Sequence, residues 1–312
     1  MRKSATLIEL IFVLVILSLF LVGGFMIIGK LYKRNYIAVK HSEFEFASQQ
    51  LVDEISLLLY TRIPLTLIGY NQQTGEYKYI GEITSSDNLP IIEWFSFEND
   101  AKKDLNLSGF VDMDKSDKNT KTIVCLDFNI NFVENIIQNK FNTSKAIDET
   151  SAILFSGTFD RGEEDALNDY QNAFGWHGGG AEYVYEFSSK QVGEDANLTL
   201  KTKPDKIYEK FFLVDSAYAV ARVEDLNLSK WKCSEIDKKN LDKDDLLLFY
   251  NYRPWKGETF CGDGGEGNVT LLAKNVSGIY LSEINSHLEL KVEFFKHKGD
   301  INISVTKQKV MY

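Results

Sequence analysis

Proline is scarce in this chain, four residues in 312, and no long low-complexity stretch interrupts it. No Pro-rich or Gly/Ser-rich linker therefore cuts it into separate pieces. The one clear change in composition falls near residue 61. Cysteine is scarcer still. Cys125, Cys233 and Cys261 are the three present, and none belongs to a C-x-x-C pair, which argues against a zinc ribbon or a thioredoxin-like site. The four histidines stand apart at 41, 177, 287 and 297 with no metal-ligand spacing, so each reads as a surface or packing residue. No nucleophile elbow, H-E-x-x-H or P-loop occurs, and catalysis is not expected. Basic residues are outnumbered, 35 to 45, giving a net charge of −10. Such an acidic exterior argues against nucleic acid as a partner.

A different absence points to what is there. Between Leu10 and Gly29 there is no charged residue. At about 1.5 Å of rise per residue these twenty positions span roughly 30 Å, the thickness of a bilayer's hydrocarbon core. A short basic leader, Met1-Arg2-Lys3-Ser4, precedes the run, and a single carboxylate, Glu9, sits at its edge. A charge is costly beside an apolar membrane segment, so Glu9 is a functional candidate. A cleaved secretory signal would have an apolar core of about 7 to 15 residues and a small-residue site after it. This run is too long, and Gly23-Gly24-Phe25-Met26 is a poor site. A plain membrane anchor is the competing reading. Lys and Arg flank both ends of the run and do not decide its orientation.

The segment Ser4-Ala5-Thr6-Leu7-Ile8-Glu9 resembles the class III signal of type IV pilins and type II secretion pseudopilins, with Thr6, Leu7, Ile8 and Glu9 matching letter for letter. The resemblance covers the first tenth of the chain. It departs from the family's Gly and Phe at the cut, where this chain has Ser4 and Ala5. It implies cleavage between Ser4 and Ala5 by a prepilin peptidase, methylation of the Ala5 amine, and a pairing of Glu9 with the N-terminal amine of a neighbouring subunit. It also implies other pilins as partners through the first helix, an inner-membrane assembly platform, and a single-pass topology with the head in the periplasm and later on a filament. Loss of Met1 to Ser4 removes two positive charges and leaves the chain near −12.

The resemblance and the local pattern together give an α+β expectation: a long N-terminal helix packed on a mainly antiparallel β head. Its divisions are a leader at 1–4, a transmembrane half-helix at 5–29, an amphipathic half at 30–61 and a head at 62–312. Ile37, Phe44, Ala47, Leu51, Ile55 and Leu58 recur at helical spacing, and Pro64 ends the pattern. Strands are expected at 76–80, 91–97, 122–128 and 152–155, and a short helix at 132–141. Residues 182–187 and 198–201 read as a strand pair. Residues 211–214 and 217–223 read as a hairpin turning at Asp215-Ser216. The C-terminal third reads as β-rich segments at 246–252, 271–272, 276–283, 288–295 and 301–306. A head of this size suits a minor subunit better than the repeating subunit of a thin fibre. A filament-tip adhesin binding through Asn172 to Tyr185, or a plain anchored periplasmic domain, are the alternatives.

Three further patterns concern sites. Cys233 and Cys261 lie in polar, turn-rich surroundings and form the better disulfide pair, whereas Cys125 lies in an apolar strand and reads as a core thiol. Structural calcium is a candidate at two acidic loops, one with Asp160, Glu163 and Asp165, the other with Asp263 and Glu266. Asp112 to Asp117 starts like an EF-hand loop but lacks its Gly and its final Glu. Finally, seven N-x-S/T triplets occur, and five carry an acid two residues earlier, at Asn106, Asn197, Asn227, Asn268 and Asn302. Asp and Glu are 45 of 312 residues, so one in seven is the chance expectation. The pattern resembles the extended acceptor sequon of bacterial N-glycosylation.

Overall fold

The computed structural model describes residues 7–84, 86–159, 170–284 and 287–311. Helix α1 (Leu7–Tyr60) is a single run of 54 residues, about 80 Å long at standard rise. Nothing breaks it at Gly23, Gly24 or Gly29, where an added side chain would touch nothing in this chain. It stops because Pro64 disfavours helical backbone at Ile63. The last carbonyls are capped by side chains, Thr61 Oγ1 to Leu58 O at 3.1 Å and Arg62 Nη1 to Leu59 O at 2.9 Å.

Thirteen strands follow among the described residues: β1 (Ile68–Asn71), β2 (Glu76–Tyr79), β3 (Ile91–Phe97), β4 (Thr122–Cys125), β5 (Ala152–Phe155), β6 (Phe187–Val192), β7 (Asp195–Leu200), β8 (Phe211–Arg222), β9 (Leu246–Tyr252), β10 (Asn268–Ala273), β11 (Val276–Ile284), β12 (His287–Lys298) and β13 (Ile301–Met311). All pairings between them are antiparallel. The chain is α+β, as expected. A seven-stranded sheet runs β10-β9-β8-β3-β1-β2, with β5 also on β8. Two three-stranded sheets, β11-β12-β13 and β4-β7-β6, complete the β structure.

Three apolar clusters hold these parts together. The lower half of α1 buries Phe44, Ser48, Leu51, Val52, Ile55 and Leu59, a stripe at three- and four-residue spacing. That stripe meets Val292, Phe294, Ile303 and Val305 of the meander β11-β12-β13 and Trp94 and Val220 of the large sheet. Lys307 to Glu45 and Lys309 to Asp53 flank it as surface ion pairs, which position more than they stabilise. A second cluster fills the other face of the large sheet. The third is built on helix α2 (Asp100–Lys103) and on α3 (Ile130–Phe141), whose Ile130, Val133, Ile137 and Phe141 pack against β4-β7-β6. Helix α3 begins two residues earlier than the pattern predicts because Asn129 caps it, accepting from Phe132 N at 3.1 Å.

Two expectations are corrected. The hairpin at 211–223 does not exist: β8 is one strand of twelve residues. Asp215 and Ser216 look like a turn because they are polar in an apolar run, yet both are buried and partnered from afar. Lys140 Nζ donates to Asp215 Oδ2 at 2.7 Å, and Asn251 N donates to Ser216 Oγ at 2.7 Å. Asp215 is the extra residue of a β-bulge against β3, where Ser96 faces Ser216 and Phe97 faces Val214. On its other edge β8 changes partner there, from β5 to β9. The second correction concerns the strand pair. It is a tight hairpin, Phe187–Val192 with Asp195–Leu200, turning at Gly193-Glu194. Ser188 and Lys190 face solvent in alternation, which gives the strand a polar, loop-like sequence.

Candidate functional site

Leu7, Ile8 and Glu9 open helix α1, and Ser4, Ala5 and Thr6 lie outside the described residues. From Leu7 to Ile28 each large apolar side chain is exposed, from 45% at Ile16 to 78% at Leu7. Among the described residues nothing else covers this surface, and an exposed apolar area of this size marks an interaction or membrane surface. The helix is long and apolar enough to cross a membrane. Glu9 sits in its first turn, where the helix dipole favours a negative charge. The pattern then changes at Tyr36, the first residue of α1 to pack on the head.

The head holds a second constellation. Glu93 is the one acid in Ile91-Ile92-Glu93-Trp94-Phe95, and β3 places it in the interior with no exposure. Two groups meet its carboxylate. Tyr252 of β9 donates its hydroxyl to Oε2 at 2.7 Å, and His177 Nε2 lies 2.8 Å from Oε1. His177 stands in a short turn, Trp176–Gly178, with left-handed backbone. Gly175, just before it, has φ +83° and lets the chain pass Pro254, whose carbonyl would lie 2.6 Å from any Cβ there. Tyr70 of β1 stacks on the imidazole, ring centres 3.6 Å apart, and Tyr77 closes a second side. On the far side of the ring, Nδ1 is 3.9 Å from Asp263 Oδ2. Asp263 in turn accepts from Tyr70 Oη at 3.0 Å, Gln72 Nε2 at 2.8 Å and Lys230 Nζ at 2.9 Å.

These residues come from β1 and the turn after it, β2, β3, β9, the 176–178 turn, the 228–230 turn and the loop after Cys261. That loop is held by the Cys233–Cys261 disulfide, as expected from the sequence. Burial, reinforced by the negative Glu93, pushes the Tyr252 phenol well above its ordinary pKa and keeps it a donor. The side chain of His177 is 8% exposed, and the buried hydrogen bonds of the cluster tie these segments to one another. In the sequence His177 reads as a surface or packing residue, and the fold buries it between two carboxylates. The usable signal was Glu93, because a carboxylate in an apolar strand requires buried partners. A second buried set joins Lys140 to Asp215 and to Glu98, the latter at 3.5 Å.

The remaining sequence candidates disperse. Asp160, Glu163 and Asp165 lie outside the described residues. Asp263 is turned inward and its oxygens are taken by the three donors above, while Glu266 is exposed. Among the described residues no group of three His, Cys, Asp or Glu converges as a metal site. Cys125 is buried in the third cluster, and burial pushes its thiol far up. In Asn172 to Tyr185, the proposed adhesive loop, Phe174, Trp176 and Tyr185 are buried rather than presented. Asn227 and Asn302 are exposed, Asn106, Asn197 and Asn268 less so. No protein-family model, curated protein or solved structure matches the chain.

Proposed function

We propose that this chain is a minor pilin- or pseudopilin-like subunit, processed by a prepilin peptidase and assembled through α1. The observation that carries the reading is the division of α1. One half exposes large apolar side chains all round and has Glu9 in its first turn, and the other half is packed on an antiparallel head by a single stripe. The signal Thr6-Leu7-Ile8-Glu9 supports it from the sequence. In this mechanism the apolar half is stored in the inner membrane, and cleavage before Ala5 frees an amine. The Glu9 carboxylate of one subunit and the amine of the next form an ion pair that offsets the cost of holding either charge in an apolar bundle. The assembly platform, the peptidase and the other pilins are its partners, and the bulky head favours a place at the tip.

Intact mass and N-terminal sequencing of the protein from its own membranes test this. A chain beginning at methylated Ala5 is the expected result, with assembly lost in Glu9→Ala. A chain beginning at Met1 beside an active peptidase would leave a plain membrane anchor. A binding assay on the head separates a tip adhesin from an assembly primer.

A further inference from the structure

The seven N-x-S/T triplets divide by structure as they divide by sequence. Asn142 and Asn275 lack the upstream acid, and both have left-handed backbone, φ 49° and 62°. Each has an evident folding role: Asn142 ends helix α3, and Asn275 turns the chain between β10 and β11 while its Oδ1 accepts from Lys296 Nζ. The five triplets that carry the acid have no such common role. Asn106 follows helix α2 and Asn197 lies in the middle strand of a three-stranded sheet. Asn227 caps a 3-10 turn, Asn268 begins β10, and Asn302 sits beside the turn between β12 and β13.

The acids themselves are equally unlike. Asp225 pairs with Arg222, Asp195 accepts from Asp127 N at 3.2 Å, and Asp300 is exposed on a hairpin turn. One five-residue pattern thus recurs in five unrelated local structures. Folding chemistry would select a context, whereas a partner that reads the extended chain selects a sequence.

We propose that Asn227 and Asn302 carry N-linked glycans in the exported protein, added by a transferase that recognises the acid two residues upstream. These two are exposed, and their amide nitrogens are available. Asn227 uses only its oxygen, which accepts from Ser229 N at 3.1 Å and Ser229 Oγ at 2.6 Å. Asn302 likewise engages its oxygen, 2.7 Å from His297 Nδ1. By contrast, Asn106 Nδ2 donates to Asp104 O and Asn268 Nδ2 donates to Glu235. Asn197 is held in a strand paired on both sides.

The donor is an oligosaccharide on a polyprenyl diphosphate. Asn Nδ2 attacks the anomeric carbon, the new C–N bond replaces the C–O bond to phosphate, lipid diphosphate leaves, and the amide proton passes to the transferase. The acid two residues upstream pairs with a cationic side chain of that enzyme: Asp300 is exposed for this contact, and Asp225 must exchange its Arg222 partner to make it. The inference needs only that the head is exported, so its failure leaves the assembly reading untouched.

Peptide mass mapping of the full chain, purified from membranes of cells that naturally make it, tests the proposal. Sugar mass is expected on the peptides holding Asn227 and Asn302 and none on those holding Asn142 and Asn275. Asp300→Ala changes an exposed side chain and should abolish the addition at Asn302 while leaving Asn227 occupied. Unmodified Asn227 and Asn302 would overturn the proposal, as would full occupancy of Asn302 in D300A. Asn302→Gln confirms the assignment of the adduct if that peptide alone loses its mass increment.

Discussion

Replacing Lys140 with Met tests how the head balances charge in its interior. Lys140 reaches inward from α3 with its side chain 30% exposed, 2.7 Å from Asp215 and 3.5 Å from Glu98, which are 0% and 2% exposed. Glu98 has other donors, the backbone amides of Asp100 and Ala101. Asp215 has fewer, and its Oδ1 has no hydrogen-bond partner. Met keeps most of the volume and removes the ammonium, leaving two buried carboxylates side by side. Breaking such a buried pair costs about 3–5 kcal/mol at neutral pH.

The pH dependence follows from the direction of the shift. Burial, and then Asp215, already raise the Glu98 carboxyl above its ordinary value, against the pull of Lys140. Without Lys140 that pull is gone. A raised folded pKa contributes stability fully below the unfolded value, roughly 4, and loses it as pH rises through the folded value. The deficit of K140M should therefore shrink on acidification towards pH 4, by up to about 1.4 kcal/mol per pH unit for each proton taken up. Residues 30–312 suit the assay, because no residue of α1 before Tyr36 packs on the head. Urea unfolding followed by tryptophan fluorescence at pH 5 and pH 7 gives both numbers. A variant equal to the parent at pH 7, or a deficit independent of pH, would refute the reasoning.

Three other outcomes are expected. Leu51→Ala opens a cavity between α1 and the β11-β12-β13 meander, should cost about 2–5 kcal/mol by urea unfolding, and should raise protease sensitivity between residues 30 and 60. Replacing Cys233 and Cys261 together with Ser releases a loop closed across 28 residues and should lower stability by about 3.5 kcal/mol on the chain-entropy estimate, while Cys125 stays closed to maleimide until the head unfolds. Glu93→Ala strands Tyr252 and His177 at about 1–3 kcal/mol for each buried donor left without a partner, and hydrogen exchange should quicken at residues 172–185.

The sequence by itself determined what depends on neighbours along the chain. A twenty-residue run without charge, followed by an apolar stripe at helical spacing and a proline, specifies α1 and its end to within a residue or two. Alternation and apolar runs located β3, β5 and β9 at their observed bounds, because sheet burial is written in consecutive residues. The cysteine pair was legible because its two neighbourhoods are polar turns while that of Cys125 is not.

Tertiary structure decided whatever depends on a partner far along the chain. Asp215-Ser216 looks like a turn until Lys140 and Asn251 arrive from 75 and 35 residues away and satisfy both groups inside a continuous strand. His177 looks like a stray histidine until the fold sets Glu93 on one side of its ring and Asp263 on the other. The same fold turns Asp263 from a candidate calcium ligand into the acceptor for three buried donors. A polar residue declares its own need for a partner in the sequence, but only the packed chain says which group meets it. The apolar half of α1 marks the opposite limit: among the described residues nothing packs on it, so the fold leaves open a demand for burial that the sequence already declares.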